Sequence, residues 1–145
     1  MGERVVSRTM SAEETERAGA ALAMELGAGD VVLIRGELGA GKTTFVRGAC
    51  RALRVDGPVT SPTFTIGKTY ETGSGKTVSH LDLYRLGSLS DEDPGLLDDY
   101  LGPDRVAFIE WPPEEATAGT IPVAGNLRTV TIELLDDGGR ELVVE

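Results

Sequence analysis

Eight consecutive residues carry the strongest chemical signal in this chain. Gly36-Glu37-Leu38-Gly39-Ala40-Gly41-Lys42-Thr43 is a complete G-x-x-x-x-G-K-T phosphate loop. Its glycines let successive backbone N–H groups, here those of residues 39–43, turn inward around phosphate oxygens. The loop opens a helix, whose N-terminus favours anions. Lys42 is placed to reach β- and γ-phosphates, and the Thr43 hydroxyl to ligate Mg²⁺. At average glycine usage a chance match is expected in about 1% of chains of this length, so the segment is read as a site.

Mg²⁺ prefers octahedral oxygen coordination, so further ligands are required. Phosphate-loop enzymes place an acidic residue at the end of a neighbouring strand. Glu110 ends the apolar run Val106 to Ile109, and Asp82 lies within His80-Leu81-Asp82-Leu83-Tyr84-Arg85. The pattern alone does not divide ion contact and water orientation between them. Thr60-Ser61-Pro62-Thr63-Phe64 brings hydroxyls around a proline. It reads either as a switch loop sensing γ-phosphate and Mg²⁺ or as an ordinary turn. His80, the only histidine, reads as a hydrogen-bonded structural residue rather than a ligand. Trp111, the only tryptophan, reads as packing under the site, as an anchor for a partner, or as a half-buried surface aromatic. Cys50 reads as a small packing residue.

The elements that must hold these residues follow from periodicity. Val31-Val32-Leu33-Ile34 is a continuous apolar run, as in a parallel strand buried on both faces, and it feeds directly into the loop. The helix after the loop presents Phe45, Val46, Ala49 and Leu53. Upstream, Val5-Val6 predicts a short strand. Ser11 with Glu14 predicts a capping box, and Ala18, Leu22 and Leu26 a helix face stopped at Gly27. Phe64, Ile66 and Tyr70 read as alternate positions of a strand that turns at Gly73 to Lys76 and returns over Val78 to Leu83. Asp93-Pro94 predicts a helix start ahead of Leu96, Leu97, Tyr100 and Leu101. Residues 112–126 read as a loop. Val130, Ile132 and Leu134 alternate before a turn at residues 136–139, and Leu142 to Val144 close a hairpin. The expected fold is a three-layer α/β domain of the P-loop NTPase type over residues 1–145. Its sheet is mixed and mainly parallel, with antiparallel hairpin strands.

Composition narrows the classes. The 145 residues are 40% hydrophobic and 26% charged, ordinary globular usage. Fourteen basic against 24 acidic residues give a net charge of −10, which repels phosphate backbones and argues against direct gripping of nucleic acid. One cysteine excludes an internal disulfide framework. No apolar run is long enough to span a membrane, and no signal core follows Met1, so a cytoplasmic protein is expected.

Taken together, four segments resemble the bacterial TsaE (YjeE) ATPases. They are Gly36 to Phe45, Thr60 to Phe64, His80-Leu81-Asp82-Leu83-Tyr84-Arg85-Leu86 and Ile109-Glu110-Trp111-Pro112, in this order and spacing. The resemblance spans about residues 11–112. It implies a P-loop ATPase, weak alone, required to make threonylcarbamoyladenosine beside the anticodon of tRNA. It also implies ATP and Mg²⁺ as cofactors and the TsaD–TsaB pair as partner, with tRNA held only through that pair. Carried over by motif, Lys42, Asp82 and Glu110 are catalytic. Thr15, Gly39, Ala40, Gly41, Lys42, Thr43 and Thr44 contact nucleotide. Thr43 and Glu110 hold the ion, Ser61 and Thr63 belong to a switch, and Trp111 stands beside the site. Glu37 stands where the family commonly has Asp.

Other classes stay open on the residues alone. A GTPase reads guanine with Asn-Lys-x-Asp, but the single asparagine, Asn126, is followed by Leu127. A kinase needs an Arg-bearing lid; Arg85 and Arg105 are available, but no lid-like insertion is evident. A third class is a non-enzymatic module that binds nucleotide as a conformational switch; the intact Lys42, Thr43, Asp82 and Glu110 set argues against such a dead site.

Overall fold

The structure, a computed structural model, describes residues 4–37, 39–60, 62, 66–73, 75–84, 97–112 and 121–145. Along the chain these form β1 (Val5–Thr9), α1 (Ala12–Ala23), β2 (Val31–Gly36), α2 (Lys42–Ala52), β3 (Gly67–Glu71), β4 (Thr77–Asp82), β5 (Arg105–Glu110), β6 (Leu127–Leu134) and β7 (Arg140–Val144). The strands make one seven-stranded sheet in the order β1-β7-β6-β2-β5-β4-β3. The central pairings β6–β2, β2–β5 and β5–β4 are parallel. Antiparallel pairings close both edges, the β3–β4 hairpin at one and the β6–β7 hairpin with β1 beside β7 at the other. The fold is α/β with a mixed sheet, as the sequence predicts.

The unbroken apolar run of β2 has a physical reason. Side chains along a strand alternate between faces. Val32 and Ile34 enter the cluster formed with Phe45, Val46 and Phe108, while Val31 and Leu33 enter a second cluster with Leu81 and Ile109. Both faces are therefore covered, and a polar residue has no place in the run. Burying each large apolar side chain completely contributes about 1.5–3 kcal/mol. Helices α1 and α2 lie on the first face: Leu22 and Ala23 of α1 and Phe45, Val46, Ala49 and Cys50 of α2 are in one cluster. The opposite face is covered by Leu83, Leu97, Leu101 and Ile121, from segments outside the named elements.

The Ser11 cap forms as expected, its hydroxyl accepting from the Glu14 N–H at 3.1 Å. The Glu14 carboxylate reaches back to the N–H of Met10 at 2.7 Å rather than to that of Ser11. Helix α1 ends at Ala23 with Met24 as C-cap, before the expected Gly27. The Asp30 carboxylate accounts for this: it accepts from the Gly27 N–H and the Asn126 N–H, each at 2.8 Å, and turns the chain into β2. Ile66 and Tyr70 do not share a face, because Ile66 lies at a bend before β3 and they pack against opposite clusters. Residues 97–100 form turns rather than the expected helix; Asp93, Pro94 and Leu96 lie outside the described residues, as does Phe64. Val130 and Ile132 are buried, but Leu134 at the end of β6 is 45% exposed.

Candidate active site

Parallel pairing brings the predicted acids together. Asp82 of β4 and Glu110 of β5 are register partners at the C-terminal ends of adjacent strands, and Ile34 of β2 pairs with Glu110 from the other side. The phosphate loop leaves β2 at this same edge. Clefts outside the carboxyl ends of parallel strands are where open α/β sheets bind ligands.

The loop's turn depends on glycine. Gly39 and Gly41 have φ of +82° and +109°, in the left-handed region that side chains disfavour. At Gly36 a Cβ would stand 2.6 Å from the Ile132 carbonyl oxygen. Helix α2 then starts at Lys42, with Gly41 as an N-cap that has no side chain to satisfy the first N–H groups. Such uncapped amides present partial positive charge to an anion.

Lys42 is only 5% exposed. Its ammonium donates to the carbonyls of Gly36 at 2.7 Å and Glu37 at 2.8 Å, and lies 3.9 Å from the centroid of the Trp111 ring. Burial holds its pKa below the usual lysine value, against the opposing charges of Glu110 and Asp82. The Thr43 hydroxyl faces both oxygens of Glu110 at 3.0 Å. Glu110, 2% exposed, also meets Nε2 of the fully buried His80 at 2.5 Å. Asp82 Oδ1 accepts from the Tyr84 N–H at 3.0 Å. Burial raises the Asp82 pKa and the neighbouring Glu110 adds to the rise, while the Tyr84 N–H, His80 and Lys42 act against it. Trp111 adopts a φ of +57°, rare for a bulky residue, and its N–H donates to the Ile34 carbonyl at 3.2 Å. The Tyr84 ring packs edge-on against Trp111 with centroids 4.7 Å apart.

Gly39, Gly41, Lys42, Thr43, Thr44, Asp82, Glu110 and Trp111 thus line one cavity of about 290 Å³. Ala40 is buried within the loop. Thr15 is 3% exposed and its hydroxyl is shared with that of Thr9 at 2.7 Å. Its methyl group lies beside Gly41, 3.8 Å from where a Cβ would be. Ser61 and Thr63 lie outside the described residues. A larger cavity of about 870 Å³ between β1 and α1, lined in part by Arg8, Arg17 and Arg128, is not lined by the loop or the acid pair.

Two residues join the site without having been assigned to it from sequence. The sequence presents His80 as a structural, hydrogen-bonded strand residue; it is hydrogen-bonded, and its partner is Glu110. The signal was its period-2 spacing from Asp82, which sets both on one face. Arg140, the first residue of β7, donates from Nε to the Ala40 carbonyl at 2.8 Å and from Nη2 to that of Gly39 at 3.4 Å. No local pattern marks it.

Among the described residues no group of three or more His, Cys, Asp or Glu is arranged to hold a metal ion. The donors that do converge, one hydroxyl and a pair of carboxylates, suit Mg²⁺ carried in with phosphates, since Mg²⁺ binds one or two carboxylates and completes its shell with phosphate oxygens and water. No helix among the described residues is long and apolar enough to cross a membrane.

Known proteins resemble the chain over most of its length. The family model for the threonylcarbamoyl adenosine biosynthesis protein TsaE matches residues 9–142. The chain is 39% identical to the tRNA threonylcarbamoyladenosine biosynthesis protein TsaE of Treponema pallidum, over 97% of this chain and 98% of that one. It is 47% identical to the protein of the same name from Streptomyces coelicolor over 64% of each chain. The crystal structure of YdiB from Bacillus subtilis superposes with a TM-score of 0.70 at 31% identity, covering 99% of this chain and 86% of that one.

Proposed function

The chain belongs to the TsaE family of threonylcarbamoyl adenosine biosynthesis proteins, and on that premise we propose that it is a Mg²⁺-dependent ATPase subunit for threonylcarbamoyladenosine formation in tRNA. It acts in the cytoplasm with the TsaD–TsaB pair, as the resemblance implies, and reaches tRNA only through that pair. A net charge of −10 supports the indirect contact. The observation that carries the ATPase reading is the meeting of Lys42, Thr43, Asp82 and Glu110 in one cavity at the phosphate loop.

The proposed reaction is in-line attack of water on the γ-phosphate. Lys42 exchanges its two loop carbonyls for phosphate oxygens, which make stronger, charge-assisted hydrogen bonds. The amides at the start of α2 stabilise charge on the phosphates. Thr43 and Glu110 would hold Mg²⁺, which when bound neutralises charge on the β- and γ-oxygens. Asp82 lies beside Glu110 with Oδ1 fixed by the Tyr84 N–H, and it orients the attacking water. Trp111, with the Tyr84 ring packed edge-on against it, walls one side of the cavity.

A guanine-specific reading loses support from the structure. The backbone of Asn126 is tied to Asp30 ahead of β2, at the opposite end of that strand from the loop.

The test is phosphate release from Mg-ATP, first by the protein alone and then with the TsaD–TsaB pair of its organism. Slow release that rises clearly with the pair is expected. Fast release indifferent to the pair would overturn the proposed role.

A further inference from the structure

We propose that Arg140 is a positioning residue for nucleotide binding: from the β6–β7 hairpin it holds the phosphate loop in the turn that offers the Gly41 amide to a phosphate. This deepens the ATP reading above and rests on it.

Arg140 opens β7 and is paired with Thr9 of β1 on one side and Leu134 of β6 on the other. Its backbone is therefore held within the sheet. Among the described residues its guanidinium donates to three main-chain carbonyls: Nε to Ala40 at 2.8 Å, Nη1 to Gly138 at 2.7 Å and Nη2 to Gly39 at 3.4 Å. The Gly138 contact fixes the fork on its own hairpin, and the other two fix the loop to the fork.

The consequence follows from peptide geometry. In a planar trans peptide the C=O and the following N–H point in opposite directions. The Ala40 carbonyl and the Gly41 N–H share one peptide. Anchoring that carbonyl on Arg140 turns the Gly41 N–H away from the hairpin. Gly41 itself lines the cavity with Lys42 and Thr43. The anchor is needed because this peptide lies close to two glycines at positive φ, Gly39 and Gly41. Glycine has little steric resistance to reversal of a neighbouring peptide plane.

Lys42 cannot serve instead. Its bonds to the Gly36 and Glu37 carbonyls hold the first part of the loop, and they are given up when the ammonium turns to phosphate. The Arg140 bonds need not be given up, so they remain while nucleotide is bound. A lysine at this position would keep the charge but not the planar fork that spans neighbouring carbonyls.

The test is calorimetric titration of ATP, with Mg²⁺ and with EDTA, into the native protein, Arg140→Lys and Arg140→Met. Steady-state hydrolysis and the Gly41 amide resonance in glycine-labelled protein complete it. Losing a charge-assisted contact to the loop should raise Kd about tenfold in both variants. Turnover at saturating ATP should fall by a smaller factor than affinity, since Arg140 acts only through the loop and touches no reacting group. The Gly41 amide should shift in both variants without nucleotide. Native affinity in Arg140→Lys would reduce the role to charge and overturn the positioning claim, as would native affinity in both variants. Should Arg140→Met fail to fold, affinity and the Gly41 resonance in Arg140→Lys decide alone. Failure of the native protein to bind ATP would instead overturn the ATP reading itself.

Discussion

Glu110 is where three elements meet. It ends β5, faces the Thr43 hydroxyl of α2 and touches His80 of β4. A buried carboxylate is costly unless it accepts hydrogen bonds, and these groups supply them. His80 also fixes which way the carboxylate faces, as outer partners of metal ligands do. Asp82 is less well supported, and its stability cost is testable. Burial raises its pKa, so ionisation is harder in the folded chain than in the unfolded one. The sign follows: the penalty is absent below the unfolded value, near pH 4, and complete above the folded one. Asp82→Asn keeps an oxygen for the Tyr84 N–H but removes the charge. It should therefore melt higher than the native protein at pH 7, with the gap closing as pH falls towards 4. A gap that does not change with pH, or has the opposite sign, would contradict the burial argument. That Lys42, Thr43, Asp82 and Glu110 meet in one cavity was legible from local markers: the motif for the first two, and for the acids a place in strands beside it. His80 was visible only as a residue, because its partner is 30 positions away.

The helices are locked to each other by close backbone approach. A Cβ on Gly48 of α2 would overlap the Glu16 carbonyl, and one on Gly19 of α1 would overlap that of Phe45. Backbone cannot yield as a side-chain end can. Gly48→Ala should cost about 1–3 kcal/mol through overpacking, despite alanine's better helix propensity. Urea unfolding measures this, and an unchanged or higher midpoint would show that the helices separate freely. At this scale the sequence was a good guide wherever an element is buried on a fixed period. The runs of β2 and β5 and the inner face of α2 are where expected. Departures come from non-local causes. Asp30 turns the chain after α1, a bend separates Ile66 from the alternation of β3, and the cover over Leu134 ends before that residue.

Across the whole molecule, the parallel centre of the sheet does the assembling. Strands β2, β5 and β4 end together, so a loop, a glutamate and an aspartate distant in sequence share one edge. The antiparallel hairpin of β6 and β7 adds Arg140 to the same edge, 100 residues from the Ala40 carbonyl it holds. Such a contact has no period and no motif, which is why the hairpin could be read as structure but not as part of the site. If this shared edge is a hydrolytic centre, removing Glu110 should affect turnover far more than binding. The direct measurement is Mg-ATP hydrolysis and ATP affinity of Glu110→Ala beside the native protein, with the TsaD–TsaB pair present. Turnover should fall about 10²-fold or more, with affinity within several-fold of native. Near-native turnover would remove Glu110 from the chemistry and contradict the reading of the paired strand ends as the catalytic centre.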